Sequence, residues 1–169
     1  MPDHDILLMA HLMRRAGFGA TRKQIDEHVS IGYEATVEDL ITAADRTQIS
    51  DDLIRRYHNE QSGMLGFSGA GAYWTYRMIS SQTPLLEKIA FFWHNIFATG
   101  YPGKVNSGKV LSDQIRMFRS YGMGSFRTLL LALAKDPAMI CWLDNRDNHK
   151  DAINENFGRE LLELFSMGV

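Results

Sequence analysis

The sequence predicts an all-α fold, an irregular multi-helix bundle of about eight to ten helices. Three observations predict it. Apolar residues recur at helical spacing along almost the whole chain, and the strict alternation typical of β-strands is hard to find. Helix-capping residues and glycines also stand at the ends of many periodic segments. The length of 169 residues indicates a single domain spanning residues 1–169.

The composition excludes several protein classes. Hydrophobic residues make up 45% and charged residues 22%, which is ordinary for a globular domain and excludes disordered or collagen-like chains. A net charge of −2 argues against a generally basic nucleic-acid binder, so no nucleic acid is expected as a partner. Cys141 is the single cysteine, which excludes an intrachain disulfide and a cysteine-based zinc cluster.

The first third of the chain predicts four helices. The first covers residues 3–16 and ends at Gly17 and Gly19, because glycine tolerates the left-handed backbone of a helix stop. Thr21 and Gln24 form a capping-box pattern that begins the second helix, which stops near Gly32. The third covers residues 36–44, and Ser50 caps the fourth.

A glycine-rich segment, residues 63–71, predicts a mobile connection before a helix over residues 72–80. It is not a phosphate-binding loop, because no GK[ST] sequence follows it. The strongest helix prediction covers residues 83–99, with Thr83 as cap and Pro84 in the first turn. Nearly its whole circumference is apolar, so we expect this helix to be central.

The rest of the chain predicts four more helical segments and one loop. Helices are expected over residues 107–120, over 126–135 after a Ser125 cap, from the Asp136 cap with Pro137 at its first position, and over 154–167. The polar stretch 144–151 predicts a loop; it resembles a calcium loop superficially, but His149 stands where an EF-hand requires glycine. The locally basic region 104–127 favours a solvated helix face with salt bridges over an anion- or partner-binding face.

No apolar run is long enough to span a bilayer, so no membrane span is expected. The first ten residues carry Asp3, His4 and Asp5 where a signal peptide has lysine or arginine. A cytoplasmic location is therefore the default expectation. Export becomes possible if the native N-terminus is longer.

His94 and Asn95 are polar residues inside an intensely aromatic helix. A buried imidazole needs a hydrogen-bond partner, so a core histidine bonded to a carbonyl or carboxylate is the simpler interpretation. Glu87 lies two helical turns earlier on the same side. The alternative is that His94 is a metal ligand or a general acid or base.

The last predicted helix carries a second polar cluster. Glu155 and Arg159 form an i,i+4 pair, as do Asn156 and Glu160, and Glu160 faces Glu163. Neighbouring carboxylates can bind a cation or divide acid and base roles between them. The structural alternative is an Asn154 cap with a Glu155–Arg159 ion pair. Gly158 inside this helix predicts a close contact with another helix.

Five segments in order give the chain a family resemblance. They are His11–Thr21 (HLMRRAGFGAT), the stretch from Glu87 to Thr99 containing FWHN and FAT, Asp136–Met139 (DPAM), Leu143–Asn145 (LDN), and Asn154–Phe165 (NENFGRELLELF). This series resembles the bacterial DUF1800 family, a domain of unknown function. The resemblance covers almost the whole chain and implies the N-terminal portion of a longer protein. It also implies a DUF1501-like partner, because genes of the two families are often neighbours.

The sequence leaves two functional interpretations open. The favoured one is a binding or assembly module in which the polar residues form a buried network that fixes helix register. The alternative is a metal-dependent or acid/base enzyme of hydrolase type, with a divalent metal as possible cofactor. Its expected residues are catalytic His94, Glu155, Arg159 and Glu160, binding Asn95, Asp144, Asn154 and Asn156, and metal-ligating His94, Glu160 and Glu163.

Overall fold

The computed structural model describes residues 2–43, 49–57, 67–101 and 103–168. Across these ranges the chain forms ten α-helices, which confirms the all-α prediction. The helices are α1 (Pro2–Ala16), α2 (Arg22–Ile31), α3 (Tyr33–Thr42), α4 (Asp51–Tyr57), α5 (Phe67–Ser80), α6 (Pro84–Ile96), α7 (Gly108–Tyr121), α8 (Phe126–Leu133), α9 (Pro137–Trp142) and α10 (Asn156–Leu162). In the described ranges, no helix is both long and apolar enough to cross a bilayer.

Local capping signals set the boundaries of the first helices. Thr21 and Gln24 form the predicted capping box at the start of α2. Gly32, with a φ of 100°, separates α2 from α3 and lets α3 begin at Tyr33. The prediction that α3 begins at Thr36 is wrong, because the Thr36 hydroxyl lies within the helix and donates to the Gly32 carbonyl at 2.8 Å.

Helix α5 extends further than its sequence predicts. It begins at Phe67, so Gly69 and Gly71 belong to a helix, while Gly63 and Gly66 lie outside the described residues. A helical glycine costs about 1 kcal/mol relative to alanine. Burial of Tyr73 and Trp74 further along α5 offsets that cost.

Helix α6 is not the fully enclosed helix that its composition predicts. It buries Leu86, Glu87 and Ala90, whereas Phe91 and Phe92 on another face are about half exposed. It also ends at Ile96, and Thr83 makes no capping hydrogen bond because its hydroxyl pairs with that of Ser81. Helix α6 is nevertheless central, because it packs against α1, α3, α5 and α7, and α7 is equally central because it packs against α5, α6, α8 and α9.

The core forms where α5, α6, α7, α8 and α9 meet. Phe97, Phe118, Leu133 and Met139 are fully buried there, and Phe165 packs edge-on against Phe97 with ring centroids 5.0 Å apart. At about 25 cal/mol per Å² of apolar surface, this aromatic and aliphatic cluster supplies the main stabilising free energy.

Helix α7 carries a buried ion pair. Glu87 of α6 has no exposed surface, and its Oε1 accepts a hydrogen bond from Arg119 Nε of α7 at 2.9 Å. A carboxylate in this environment must be paired to remain charged. The pair therefore fixes α6 and α7 at one relative register.

A second buried contact joins α7 to the loop after α6 and to α9. Gln114 is fully buried; its Oε1 accepts from the Thr99 hydroxyl, and its Nε2 donates to Asp136 Oδ2 at 2.8 Å. Asp136 also caps α9 by accepting from Met139 N at 2.9 Å. Burial raises the pKa of Asp136, although these hydrogen bonds oppose that shift.

A third network holds α4 against α5 and α7. Asp51 accepts hydrogen bonds from Tyr73 Oη at 2.6 Å and from Arg116 Nε at 2.7 Å, and it forms an ion pair with buried Arg77. Burial alone would raise the pKa of Asp51. The bonds from Tyr73 and Arg116 and the charges of both arginines outweigh burial and lower that pKa to about 2.

The C-terminal segment departs from the predicted single helix. Helix α10 covers Asn156–Leu162, and a π-helical turn follows over Glu163–Met167. The expectation of a close helix contact at Gly158 is wrong, because a Cβ there would meet no atom within 4 Å.

The predicted cap of α8 is also absent. Ser125 precedes this helix without making a side-chain capping hydrogen bond.

Replacing Arg119 with methionine is expected to destabilise the protein by about 3–5 kcal/mol, because it leaves the Glu87 carboxylate buried and unpaired. Urea unfolding would measure the loss. Arg127→Met, at an exposed position of α8, is the matched control and should change little. The double variant Glu87→Leu/Arg119→Met should recover much of the loss; no recovery would contradict the ion-pair explanation.

The Asp51 network predicts acid sensitivity. Because the folded-state pKa is about 2 and the ordinary value is 3.8, the stabilisation is complete above about pH 4 and is lost as the pH falls toward 2. Urea midpoints between pH 5 and 2 should therefore fall more steeply in the wild type than in Asp51→Asn. Asp151→Asn, at an exposed position, should keep the wild-type slope. Parallel slopes in wild type and Asp51→Asn would contradict this assignment.

Candidate functional site

His94 lines a cavity of about 240 Å³ between α5, α6 and α7. Its ring lies edge-on to Trp74, with centroids 5.2 Å apart, and also approaches Phe118. Nδ1 of His94 is buried and has no hydrogen-bond partner. Burial lowers the pKa of His94 below its ordinary value of 6.5, so the imidazole is neutral at pH 7.

Asn95, the next residue, lies in a separate groove between α1 and α6. The groove has a volume of about 480 Å³, and Phe91 and Phe92 line it together with the cationic Arg15 and Lys88. The ammonium group of Lys88 lies 4.9 Å from the ring centroid of Phe18. This surface therefore combines exposed aromatic rings with positive charge.

Asp144 and Asn154 lie together at the turn after α9. Asp144 has a φ of 58°, a left-handed conformation that aspartate tolerates better than most residues, and its carboxylate forms an ion pair with Lys104. The Asn154 amide donates to the Asp144 carbonyl at 3.4 Å, and Asn154 Oδ1 accepts from Asn156 N at 2.9 Å. These bonds close the loop before α10.

The polar residues of α10 pair with one another. Arg159 lies 3.6 Å from the Glu155 carboxylate, donates to Asn156 Oδ1 at 3.0 Å and lies 3.7 Å from Glu160. The Glu155–Arg159 pair is the one that the sequence predicts, whereas Asn156 bonds to Arg159 and not to Glu160. Glu155, Arg159 and Glu163 are exposed, and Glu160 is partly buried.

Among the described residues, no hydrogen bond or ion pair joins His94 to Glu160 or Glu163, and none of the described residues lining the His94 cavity comes from α10. Over the same ranges, no group of three or more histidine, cysteine, aspartate or glutamate residues is arranged to hold a metal ion. The three-ligand set His94, Glu160 and Glu163 stays a prediction.

Sequence reasoning missed the partners of the buried polar groups. Glu87 shares a helix side with His94, yet its partner is Arg119. Trp74, whose ring contacts that of His94 in the cavity wall, appears in the sequence as one aromatic residue among several in its helix. The sequence signal for these partners lies in the basic region 104–127. Arg116 and Arg119 recur there at helical spacing, and both lie on the inward side of α7.

Comparison with known proteins places the chain in one family. Residues 11–169 match the model of the family described as Protein of unknown function (DUF1800). The chain belongs to this family, as the order of its motifs predicts. No curated protein and no solved structure shows a significant match to the chain.

Glu160→Gln is expected to lower the free energy of unfolding by less than about 1 kcal/mol, because its ion pair with Arg159 is long and partly solvated. Urea unfolding of Glu160→Gln would measure this loss of stability, with Glu163→Gln at an exposed position as the control. A loss of several kcal/mol would show that Glu160 belongs to a buried network after all.

Proposed function

We propose that this domain is a helical binding module whose partner is an acidic, amphipathic polypeptide segment. The observation that carries the proposal is the α1–α6 groove, where Phe91 and Phe92 are 48% and 50% exposed between Arg15 and Lys88. Exposed aromatic residues beside an arginine are typical of interaction surfaces, and the lysine adds a positive charge that favours an acidic partner. No carboxylate is among the described residues that line the groove.

The charge and shape of the α1–α6 groove indicate what kind of segment would bind there. Apolar side chains of a helical segment would contact the two phenylalanines, and its carboxylates would face Arg15 and Lys88. The exposed Asn95 amide at the edge can bond to the segment's polar groups. Ring contacts of Phe91 with Trp74 and of Phe92 with Trp93 hold the aromatic surface in place before binding, which reduces the entropy lost on association.

The buried ion pairs and hydrogen bonds support a module of this kind. They hold α6 rigidly against α7, so the groove face is presented by a fixed helix. A DUF1501-like protein, the partner that the family resemblance implies, is the first full-length candidate that we propose to test.

An acid/base enzyme is the second candidate, and the observation that favours it is the neutral, unpaired His94 imidazole beside a cavity. Glu155, Arg159 and Glu160 would then have to act on a substrate that also contacts α10. The binding module is favoured, because in the described structure these side chains pair among themselves.

Binding of a labelled helical peptide carrying leucine and glutamate on one face tests the groove by fluorescence anisotropy. We expect Lys88→Glu and Phe92→Ala each to weaken binding at least about tenfold, through lost charge complementarity and lost apolar contact. A peptide with lysine in place of glutamate should bind weakly to the wild type.

Two matched controls separate the groove from general surface effects. Lys135→Glu reverses an exposed charge and Leu131→Ala removes an exposed apolar side chain, both outside the groove. Both should bind like the wild type. Equal binding of acidic and basic peptides, or unchanged binding by the groove variants, would refute the proposal. Titration of the same variants with a DUF1501-like protein tests that partner.

A further inference from the structure

The C-terminal segment exposes a group of apolar side chains. Leu162, Leu164 and Met167 are 54%, 62% and 76% exposed on α10 and on the π-helical turn that follows it. Phe165 of the same turn packs against the hydrophobic core, which anchors the segment to the rest of the domain. Several large apolar residues close together on a surface are typical of an interaction site.

The same segment is acidic. Residues 151–167 carry four carboxylates and one arginine, a net charge of −3. Glu163 stands between Leu162 and Leu164, is exposed, and forms no ion pair with another described residue. We call Leu162, Glu163, Leu164 and Met167 the C-terminal patch. Its combination of apolar side chains and an unpaired carboxylate is the composition that the α1–α6 groove requires of its occupant.

The groove has the complementary composition. Phe91 and Phe92 are about half exposed there, beside Arg15 and Lys88. In the described part of the chain no carboxylate pairs with either cation, and the Lys88 ammonium group lies over an aromatic ring. No residue of the C-terminal patch lines the groove of its own chain. One chain therefore carries both members of a complementary pair of surfaces, and neither member is used within that chain.

We propose that the α1–α6 groove binds the C-terminal patch of a second copy of this chain. The inference rests on the proposed function, because it names the occupant of the same groove. Leu164 and Met167 contact the two phenylalanines, and Glu163 faces Lys88. Since the groove and the patch are different surfaces, each copy offers one of each. The contact therefore joins copies in a reciprocal pair, a ring or an open chain.

Sedimentation equilibrium of the whole chain measures this self-association. We expect the average mass of the wild type to rise above that of one chain as the protein concentration increases. Added salt should weaken the association, because the paired charges lie at exposed positions. A helical peptide with leucine and glutamate on one face should dissociate the complexes, because it occupies the same groove.

Two charge reversals test the two surfaces separately. Lys88→Glu alters the groove and Glu163→Lys alters the patch, and each should weaken self-association at least about tenfold. An equimolar mixture of these two variants should form complexes again, because the intact groove of Glu163→Lys meets the intact patch of Lys88→Glu. Glu38→Lys and Lys135→Glu reverse charges at exposed positions outside both surfaces and should associate like the wild type.

The outcomes distinguish this proposal from the proposed function. A wild type that stays monomeric up to about 1 mM, yet binds the acidic peptide in the groove, would overturn self-association and leave a different protein as the partner. Failure to bind the peptide would refute both. Self-association that Lys88→Glu and Glu163→Lys leave unchanged, or that does not return when these variants are mixed, would also overturn the assignment of the C-terminal patch to the groove.

Discussion

The buried and partly buried polar side chains of α7 are the constraint on which the rest of the fold depends. Gln114, Arg116 and Arg119 point from this helix toward different neighbours, and each meets a carboxylate. Apolar packing alone tolerates some sliding of one helix along another, whereas a buried ion pair that is broken leaves an uncompensated charge. Helix α7 can therefore pack against α4, α6 and the start of α9 at only one register.

This arrangement explains why α6 has two different faces. Its Glu87 and Ala90 side faces α7 and is fully buried, and Trp93 donates from its indole to the Gly122 carbonyl at 2.8 Å just beyond the end of α7. Once this side is fixed, Phe91 and Phe92 have no position in the core. Their exposure follows from the polar contacts on the opposite side of the same helix, and it produces the groove to which we assign a partner.

The elements that the sequence predicts correctly are those set by local chemistry. The Thr21–Gln24 capping box, the Asp136 cap and the Glu155–Arg159 pair each involve residues three or four positions apart. Thr83 fails as a cap although its residue type is favourable, because its hydroxyl pairs with that of Ser81. Ser125 makes no side-chain capping bond either. The helix ends at Tyr33, Phe67 and Ile96 differ from those that the sequence predicts, because packing or a glycine backbone overrides helix propensity there.

The long-range pairs could not be predicted from one sequence. Glu87 and Arg119 are 32 positions apart, and Asp51 and Arg116 are 65 apart, so no local pattern links them. The composition of α6 likewise shows that it is rich in aromatic residues but not which of its faces will be covered. His94 and Asn95 stand out in the sequence as polar residues in an aromatic helix, but the sequence does not show that their surroundings differ.

The structure separates these two neighbours. Consecutive residues on a helix point about 100° apart, so His94 reaches the cavity between α5 and α7 while Asn95 lies in the groove beside α1.

The cavity and the groove share no lining side chain, but they are in contact through one pair of aromatic rings. Phe91 of the groove lies against Trp74 of the cavity, with centroids 5.7 Å apart. A partner that restrains Phe91 in the proposed groove would therefore also restrain the Trp74 ring in the cavity wall. Because interiors are close-packed, this contact gives the two sites a direct physical route for coupling.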